Sequence, residues 1–568
     1  MNNNDLSIVL CGEAGQGIQT VEHLLGRLLP LSGYYIFSTS EFMSRIRGGF
    51  NSSEVRVAST PVSAYLERID LLFPFFKGAI QHLQKRIAPD TIILGESINI
   101  DPKEIDGHRI IDIPFSKLAS EVGGTLYLNI IASGVICGLL QADLDAINHY
   151  LTKFFAEKGQ EIITKNLEAM KIGYELGVNL LNSGKIQTNI PKNSKVKDNF
   201  IISGTESIGL GVIAGGCNFI SSYPMSPSTG LLVFLSQQSN AFDIIAEQAE
   251  DEISAINMAL GAWYAGARGM VTTSGGGFAL MVEGLSLAGV TESPIVIHLA
   301  QRPGPGTGLP TRTEQADLLF ALHAGHGEFP RIILAPGSAE QGFSLAQKAF
   351  NLADKYQVPV FLLTDQYFLD SNYSFSSLDL SAIKVEKQFI RTTPAYKRYQ
   401  LTASGLSPRG IPGYGEGLVT LDSDEHEEDG RITENHDVRI QMVNKRLKKL
   451  ELLKQDIIPP ELIGPENYKN LIICWGSTYH AVREALNTLK RDDLAVLHFK
   501  QVYPVHPLTA DYLKKADKTI ILEGNATAQF KQLIKLQTSI EIDDQILKYN
   551  GQPFSVEEII KKLKELLS

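Results

Sequence analysis

Cysteine is scarce in this 568-residue chain. Cys11, Cys137, Cys217 and Cys474 stand far apart and form no C-x-x-C pair, so neither a disulfide framework nor an iron–sulfur or zinc site within the chain is expected. A surplus of positive charge is missing too. The formal net charge is −11, with acidic and basic residues mixed along the chain, whereas a nucleic-acid partner asks for a basic surface. No basic-then-apolar segment opens the sequence, which begins MNNNDLSIVL, and this argues against a secretory leader. The longest apolar run, Leu126–Leu140, is broken by Asn129 and falls short of the roughly 20 residues of a bilayer span. These absences lead to the expectation of a cytoplasmic protein with no membrane span, no nucleic-acid partner and no metal site of its own.

What is present is ordinary in amount and specific in arrangement. Hydrophobic residues make up 43% of the chain, enough for packed cores, and the length implies roughly three or four domains. Residues 1–183 alternate strand-like and helix-like segments: LSIVLCG, then QTVEHLLGRLLPLSG with helical spacing, then TIILGES and RIIDIP. Residues 184–199 are polar, lysine-rich and broken by Pro191, as a linker would be. Over 200–375 the strands GMVTTS, PIVIHLA, RIILAP and PVFLLTD alternate with helix-length segments, which implies a parallel sheet covered on both faces. Ligands of such sheets sit outside the carboxyl ends of the strands. Residues 376–465 are polar and read as a long excursion with a basic connecting helix, and 466–568 form a last α/β domain.

Three stretches carry chemistry. In SSYPMSPST, residues 221–229, two prolines fix φ and push their predecessors toward extended backbone, so Tyr223–Pro227 is expected to be a stiff, non-helical loop. In EDEISAINMALGAWYAGA the acids Glu247, Glu250, Asp251 and Glu252 are expected to crowd a first helical turn, where the helix dipole favours anions. Ile253, Ile256, Asn257 and Leu260 share one face on helical spacing. Glu252 directly precedes the apolar, small-residue stretch and is the carboxylate expected in a buried site, with a raised pKa and a proton to hold or share. GEAGQG, residues 12–17, is spaced G-x-x-G-x-G rather than in the dinucleotide order, and is read as a tight strand-to-helix turn. His426, in the acidic run DSDEHEEDGR, reads as a solvated loop histidine, and EGNATAQF reads equally as a helix N-terminus for a phosphate or as a plain turn.

YPMSPST, EDEISAINMALGAWYAGARG, TTSGGG and QRPGPGTGLPTRTEQADL follow one another in that order. Together they resemble the α subunit of the 2-oxoacid:ferredoxin oxidoreductases, with its Y-P-I-T-P loop, E-D-E helix and G-P-x-T-G-x-P-T-R segment. GEAGQGIQT and SRIRGGFNSSEVRV resemble that family's γ domain fused ahead of α, and the fused form is most similar to the 2-oxoglutarate type. Two departures stand out: Met225 and Ser226 replace isoleucine and threonine, and Ser-Gly-Gly-Gly replaces Ser-Gly-Pro-Gly. The implied fold is multidomain α/β, a thiamine-diphosphate pyrimidine-type parallel-sheet domain flanked by the N-terminal γ domain and a C-terminal transketolase-C-like domain.

The resemblance implies thiamine diphosphate shared between two subunits, with magnesium and a [4Fe–4S] cluster on a separate β subunit. This sequence has no G-D-G followed by a downstream Asn and no cysteine cluster, so by that reading it is at most half of an active site. The implied partners are the β subunit in an (αβ)2 heterotetramer, ferredoxin, coenzyme A and a 2-oxoacid. Glu252 is implied as the carboxylate that activates the cofactor, with Tyr223, Pro224, Gly275 and Gly276 lining it. Ser226 and Arg312 are candidates for the substrate carboxylate, and Arg45 and Arg47 for coenzyme A. Other readings stay open at this point: a non-catalytic assembly subunit of the same fold, an unrelated nucleotide-binding α/β protein, and a pyruvate or branched-chain specificity.

Overall fold

The computed structural model describes residues 5–13, 17–42, 49–100, 107–381 and 383–568. They divide into two compact units.

The first unit holds the described residues up to Ser203 together with Asp370–Leu378 and Ser555–Glu558. Its sheet runs in the order Arg109–Asp112, Ile92–Gly95, Leu71–Pro74, Asp5–Glu13, Phe50–Ala58, Tyr35–Phe42, Asn372–Phe375, Phe200–Ser203. The first four of these strands are parallel. Asp5–Glu13 is buried along its length save for Glu13, as a strand covered on both faces must be. The apolar run near Leu126–Leu140 forms the buried helix Leu128–Leu139, packed on Gln160–Asn182. A Cβ on Gly138 would collide with the Tyr174 carbonyl, and one on Gly177 with that of Val135, so these glycines let the two backbones approach. The run is core, and among the described residues no single helix is long and apolar enough to cross a membrane.

Two expectations change here. The segment read as a linker is tied down: Ile186 and Ile190 are buried in this unit's core, and the Asn193 amide donates to Gly33 O at 2.8 Å. The stretch 200–375 was read as one piece, yet its end strands Phe200–Ser203 and Asn372–Phe375 pair with each other in the first unit's sheet. Asn372 Nδ2 donates to the buried Glu22 carboxylate at 3.0 Å, and Ser38 Oγ to the same oxygen at 2.7 Å. A four-residue strand held by one buried carboxylate leaves no periodic signal in sequence.

The second unit carries two large sheets besides a two-stranded one. The larger runs in the order Gln501–Tyr503, Ile332–Leu334, Pro359–Asp365, Ile295–Gln301, Gly269–Thr273, Phe219–Ser222, Ile245–Gln248, parallel except at Gln501–Tyr503. The smaller runs Glu461–Ile463, Leu494–Phe499, Asn470–Trp475, Lys518–Glu523, Asp544–Leu547. One hydrophobic core joins them, from Ile256 and Leu299 to Trp475 and Phe530.

The excursion is ordered on this unit. It contains the strand pair Phe389–Thr392 and Arg409–Gly415 and the helix His436–Leu453. The acidic run is not merely solvated: Glu425 accepts from both Nη atoms of the buried Arg446 at 2.9 and 2.8 Å. His426 is fully buried, its ring 3.8 Å from that of Tyr399, so the expectation of a solvated histidine is wrong.

His298, on the central strand Ile295–Gln301, lies between Thr272 Oγ1 at 2.7 Å and Thr364 Oγ1 at 2.8 Å. Burial pushes its imidazole down to about 3. A folded value below the unfolded 6.5 adds stability above pH 6.5 and loses it as pH falls toward 3. His298→Gln keeps a polar end for each threonine and is expected to remove about 1.4 kcal/mol of that dependence per pH unit. Denaturant unfolding of wild type and variant between pH 4 and 7 reads this directly, and parallel stability curves would contradict it.

Candidate functional site

The site lies at the carboxyl ends of the parallel strands in the second unit, where ligands of such sheets bind. After Phe219–Ser222 the chain enters the non-helical loop Tyr223–Pro227, then the helix Thr229–Gln237. The loop is held at its carbonyls. Ser228 Oγ donates to Met225 O at 2.7 Å, and Arg302 Nη1 donates to Ser226 O at 2.7 Å. Tyr223 is exposed, and Pro224 and Ser226 are half-buried.

The helix Glu252–Tyr264 begins later than its sequence suggests. Asp251 is the N-cap, its carboxylate accepting the Ser254 amide at 2.7 Å. Glu247 belongs to the strand Ile245–Gln248 and Glu250 to the bend after it, so of the four acids only Glu252 is helical. The buried face is Glu252, Ala255, Ile256, Ala259, Leu260 and Trp263. Ile253 and Asn257 are exposed, contrary to the face expected from spacing.

Glu252 is 2% exposed, and its Oε1 has no hydrogen-bond partner among the described residues. Burial pushes its carboxyl up, the negative Asp251 adds to this, and a backbone amide opposes it. Above it runs Ser274–Gly277, the N-cap and first turn of the helix Gly275–Phe278, which follows the strand Gly269–Thr273. A Cβ on Gly277 would collide with Glu252 Oε1 and Thr273 Oγ1, and one on Gly275 would fall 2.5 Å from Asp317 Oδ2. Two more oxygens along this turn are buried without a hydrogen-bond partner among the described residues, Ser274 Oγ and Asp317 Oδ2. Burial pushes the Asp317 carboxyl up to about 6, against the pull of Arg302. Three oxygens left in this state around one glycine turn have the character of a ligand site, since buried polar groups in a folded chain otherwise find partners.

The segment 302–317 supplies the rest. Arg302 follows the strand Ile295–Gln301 directly, and burial lowers its guanidinium with Asp317 opposing. Neither Arg302 nor Asp317 was singled out from sequence. The available signal was their place at a strand's carboxyl end and in the motif after it. Arg312 is half-buried, with its Cβ 3.1 Å from where Gly551 would carry one. Gln315 pins the segment: its Nε2 donates to Trp475 O at 3.0 Å and its Oε1 accepts the Gly524 amide at 2.9 Å. In EGNATAQF the Glu523 carboxylate accepts the amides of Phe530 and Lys531 at 2.9 and 3.1 Å, so this helix N-terminus is filled by the chain itself. Arg45 and Arg47 lie outside the described residues, as does much of GEAGQG; Gly17, at φ +72, precedes the helix Ile18–Leu31.

A mostly parallel sheet with a buried glutamate beneath a glycine-rich turn at its strands' carboxyl ends is the arrangement of a ligand site in an α/β protein. Residues 210–445 match the family model described as pyruvate flavodoxin/ferredoxin oxidoreductase, thiamine diP-bdg, and residues 7–176 the one described as pyruvate ferredoxin/flavodoxin oxidoreductase. The chain is 32% identical to a 2-oxoacid:ferredoxin oxidoreductase subunit alpha from a Sulfolobus species, over 99% of this chain and 97% of that one. It is 27% identical to a 2-oxoglutarate oxidoreductase subunit from Mycobacterium tuberculosis, over 95% of this chain and 78% of that one. Its structure matches a 2-oxoglutarate:ferredoxin oxidoreductase from Magnetococcus marinus, solved with 2-oxoglutarate, coenzyme A and succinyl-CoA bound, at a TM-score of 0.92, 30% identity and full coverage of both chains. The chain belongs to the 2-oxoacid:ferredoxin oxidoreductase family, among its alpha subunits. It is an oxidoreductase of the kind whose electron acceptor is an iron–sulfur protein.

Proposed function

We propose that this chain, as an α subunit with a γ-type domain fused ahead of it, serves the oxidative decarboxylation of a 2-oxoacid, 2-oxoglutarate foremost, with coenzyme A to acyl-CoA, carbon dioxide and reduced ferredoxin. The observation that carries this reading is Glu252, a buried carboxyl with an unpartnered oxygen beneath the Ser274–Gly277 turn. The 2-oxoglutarate names of the Mycobacterium and Magnetococcus relatives favour that substrate. Magnesium and the [4Fe–4S] cluster belong, in this reading, to a β subunit, and the assembly is an (αβ)2 heterotetramer in the cytoplasm.

These residues fit the pyrimidine side of thiamine diphosphate, with Tyr223, Pro224, Gly275 and Gly276 lining it and Glu252 against it. When bound, that cofactor supplies the nucleophilic carbon and electron sink which decarboxylation of a 2-oxoacid needs. The protein's own part is proton placement and grip. Burial raises the Glu252 carboxyl and so favours its protonated form, from which Oε1 can share a proton with a ring nitrogen. The glycines above it admit a flat ring and exclude water. The loop Tyr223–Pro227, fixed at two carbonyls, presents the Ser226 hydroxyl to the substrate carboxylate. Arg302, already bonded to the Ser226 carbonyl, is placed to meet the same carboxylate, with Arg312 as the second cation.

Co-expression with the β subunit tests the reading. The complex should reduce ferredoxin in the presence of 2-oxoglutarate and coenzyme A, while this chain alone should be colourless and inactive. A complex that binds thiamine diphosphate yet oxidises no 2-oxoacid would leave only the assembly role. Within the complex, Ser226→Ala is expected to lower kcat/KM by the equivalent of roughly 1.5–3 kcal/mol, one hydrogen bond to a charged group. Arg302→Lys keeps the charge but loses the planar fork and should be impaired by a rise in KM. Arg312→Lys run alongside separates the two arginines: a silent Arg302→Lys with an impaired Arg312→Lys would move the grip to Arg312.

A further inference from the structure

Asp317 is the N-cap of the helix Leu318–His323, yet its carboxylate caps no amide there. An aspartate in that position ordinarily accepts from an amide of the first turn, as Asp143 and Asp251 do in this chain. The Asp317 carboxylate lies over Gly275 instead, its two oxygens 2.5 and 2.8 Å from where a Cβ would stand. The backbone keeps it there. The Asp317 amide donates to Gln301 Oε1 at 2.9 Å, and its carbonyl accepts the Ala321 amide at 2.8 Å. Gln301 is fully buried and directly precedes Arg302, so one frame sets both the carboxylate and the guanidinium.

Three ionisable groups stand around Asp317. Arg302 draws its carboxyl down, and Asp317 in turn holds the guanidinium up. Glu314, in the same segment, is raised by burial and then by Asp317. Glu252 lies along the turn, beneath Gly277. Arg302 alone among them is a cation. Asp317 Oδ2 has no hydrogen-bond partner among the described residues, so Arg302 acts on that oxygen through charge while its Nη1 stays on the Ser226 carbonyl. A substrate carboxylate at Arg302 would be a second anion for the same guanidinium, and a like charge disfavours the ionised form of a neighbouring carboxyl.

We propose that Asp317 is a positioning residue acting through Arg302, and that the 2-oxoacid binds together with a proton taken up by Asp317. This rests on the reading of Arg302 as a group that meets the substrate carboxylate. With Asp317 ionised, the guanidinium already has its counter-charge and the substrate brings an excess negative charge. With Asp317 protonated, the substrate carboxylate alone balances Arg302. Burial sets the carboxyl of the empty site at about 6. Affinity is therefore fully present below that pH and falls as pH rises, until the pH passes the higher value that the carboxyl takes in the complex.

The test uses the complex with the β subunit. The probe is N-oxalylglycine, an unreactive analogue of 2-oxoglutarate, or oxamate should pyruvate prove the substrate. Its inhibition constant is measured between pH 5.5 and 8.5, beside KM and kcat for the oxidised acid. In wild type the inhibition constant and KM are expected to rise about tenfold from pH 6 to 8, the effect of one carboxyl shifted by about one unit. Asp317→Asn is neutral throughout. Its inhibition constant should be flat, equal to wild type at pH 6 and about tenfold tighter at pH 8, with the change in KM rather than kcat. A melting curve at both pH values checks the fold of the variant. A wild-type constant that does not change with pH would overturn the proposal without any variant. So would a variant that keeps the wild-type slope, or one that binds more weakly at both pH values; in each case the acid is still oxidised and the 2-oxoacid reading stands. A wild-type complex that oxidises no 2-oxoacid and binds neither analogue would instead defeat that reading and the inference with it.

Discussion

Replacing Glu252 by glutamine in the assembled complex is expected to reduce turnover by about 10²–10⁴-fold, the usual weight of a positioned acid–base group, without loss of assembly. Glutamine keeps the shape under Gly277 but cannot give up or take back a proton, which the raised carboxyl can. A second measurement separates this from a packing defect. The folded carboxyl titrates above its usual 4.5, so its contribution to stability is fully present below pH 4.5 and is lost as pH rises through the folded value. The neutral glutamine does not suffer that loss. The variant should therefore melt at or above the wild-type temperature at pH 8 while being far less active, the pattern of a residue kept for chemistry at the expense of stability. A variant that melts well below wild type at pH 8 would assign Glu252 a structural role, and one of normal turnover would remove it from the mechanism.

The central parallel strands of the second unit were legible because they are buried on both faces: PIVIHLA and PVFLLTD read as continuous apolar runs, and both are strands. Glu252 was legible for a related reason. It is the last charge before a stretch of small and apolar residues that must face a core. The same stretch misled the helix phase. Ile253 reads as a core residue on spacing, yet it is 46% exposed, because the helix buries its alanines and Trp263 against the sheet instead. What could not be read was anything fixed by distant contact. Asn372–Phe375 enters the first sheet through pairing and through the Glu22–Asn372 bond. Arg302 reaches Ser226 across 76 positions, and His426 is buried by Tyr399 rather than by its acidic neighbours.

The excursion is anchored by a buried charge cluster whose disruption should have the largest effect on stability. Glu292 and Lys449 are each 1% exposed, and Lys445 4%. Lys445 Nζ meets the Glu292 carboxylate at 2.5 Å, Lys449 meets it as well, and Arg398 Nη2 donates to the Glu292 carbonyl at 2.8 Å. Burial alone would raise the Glu292 carboxyl; Lys449, Lys445 and Arg398 together overcome it and hold it well below the usual carboxylate range. Burial pushes the Lys449 ammonium down to about 7, with Glu292 opposing. One carboxylate thus pairs with two lysines beside Arg398, and Glu292→Gln leaves the lysines without a counter-charge. Breaking a buried ion pair from one side is worth about 3–5 kcal/mol, so unfolding of the second unit should shift to clearly lower denaturant. Hydrogen exchange in the helix His436–Leu453 should rise with it. The pH dependence has a definite sign. Lys449 ionises in the folded state near 7, below the usual 10.5, so the folded chain holds fewer protons than the unfolded one between those values and gains stability as pH rises. Without Glu292 the lysine is neutral at lower pH still, so the variant begins to gain stability earlier, and its deficit should shrink as pH rises from 5 toward 7 and level off above that. Adding Lys449→Met should recover part of the loss at pH 7, since an apolar group needs no partner there. A deficit that does not change with pH, or a double variant no more stable than Glu292→Gln, would show that the cluster's charges are balanced in some other way.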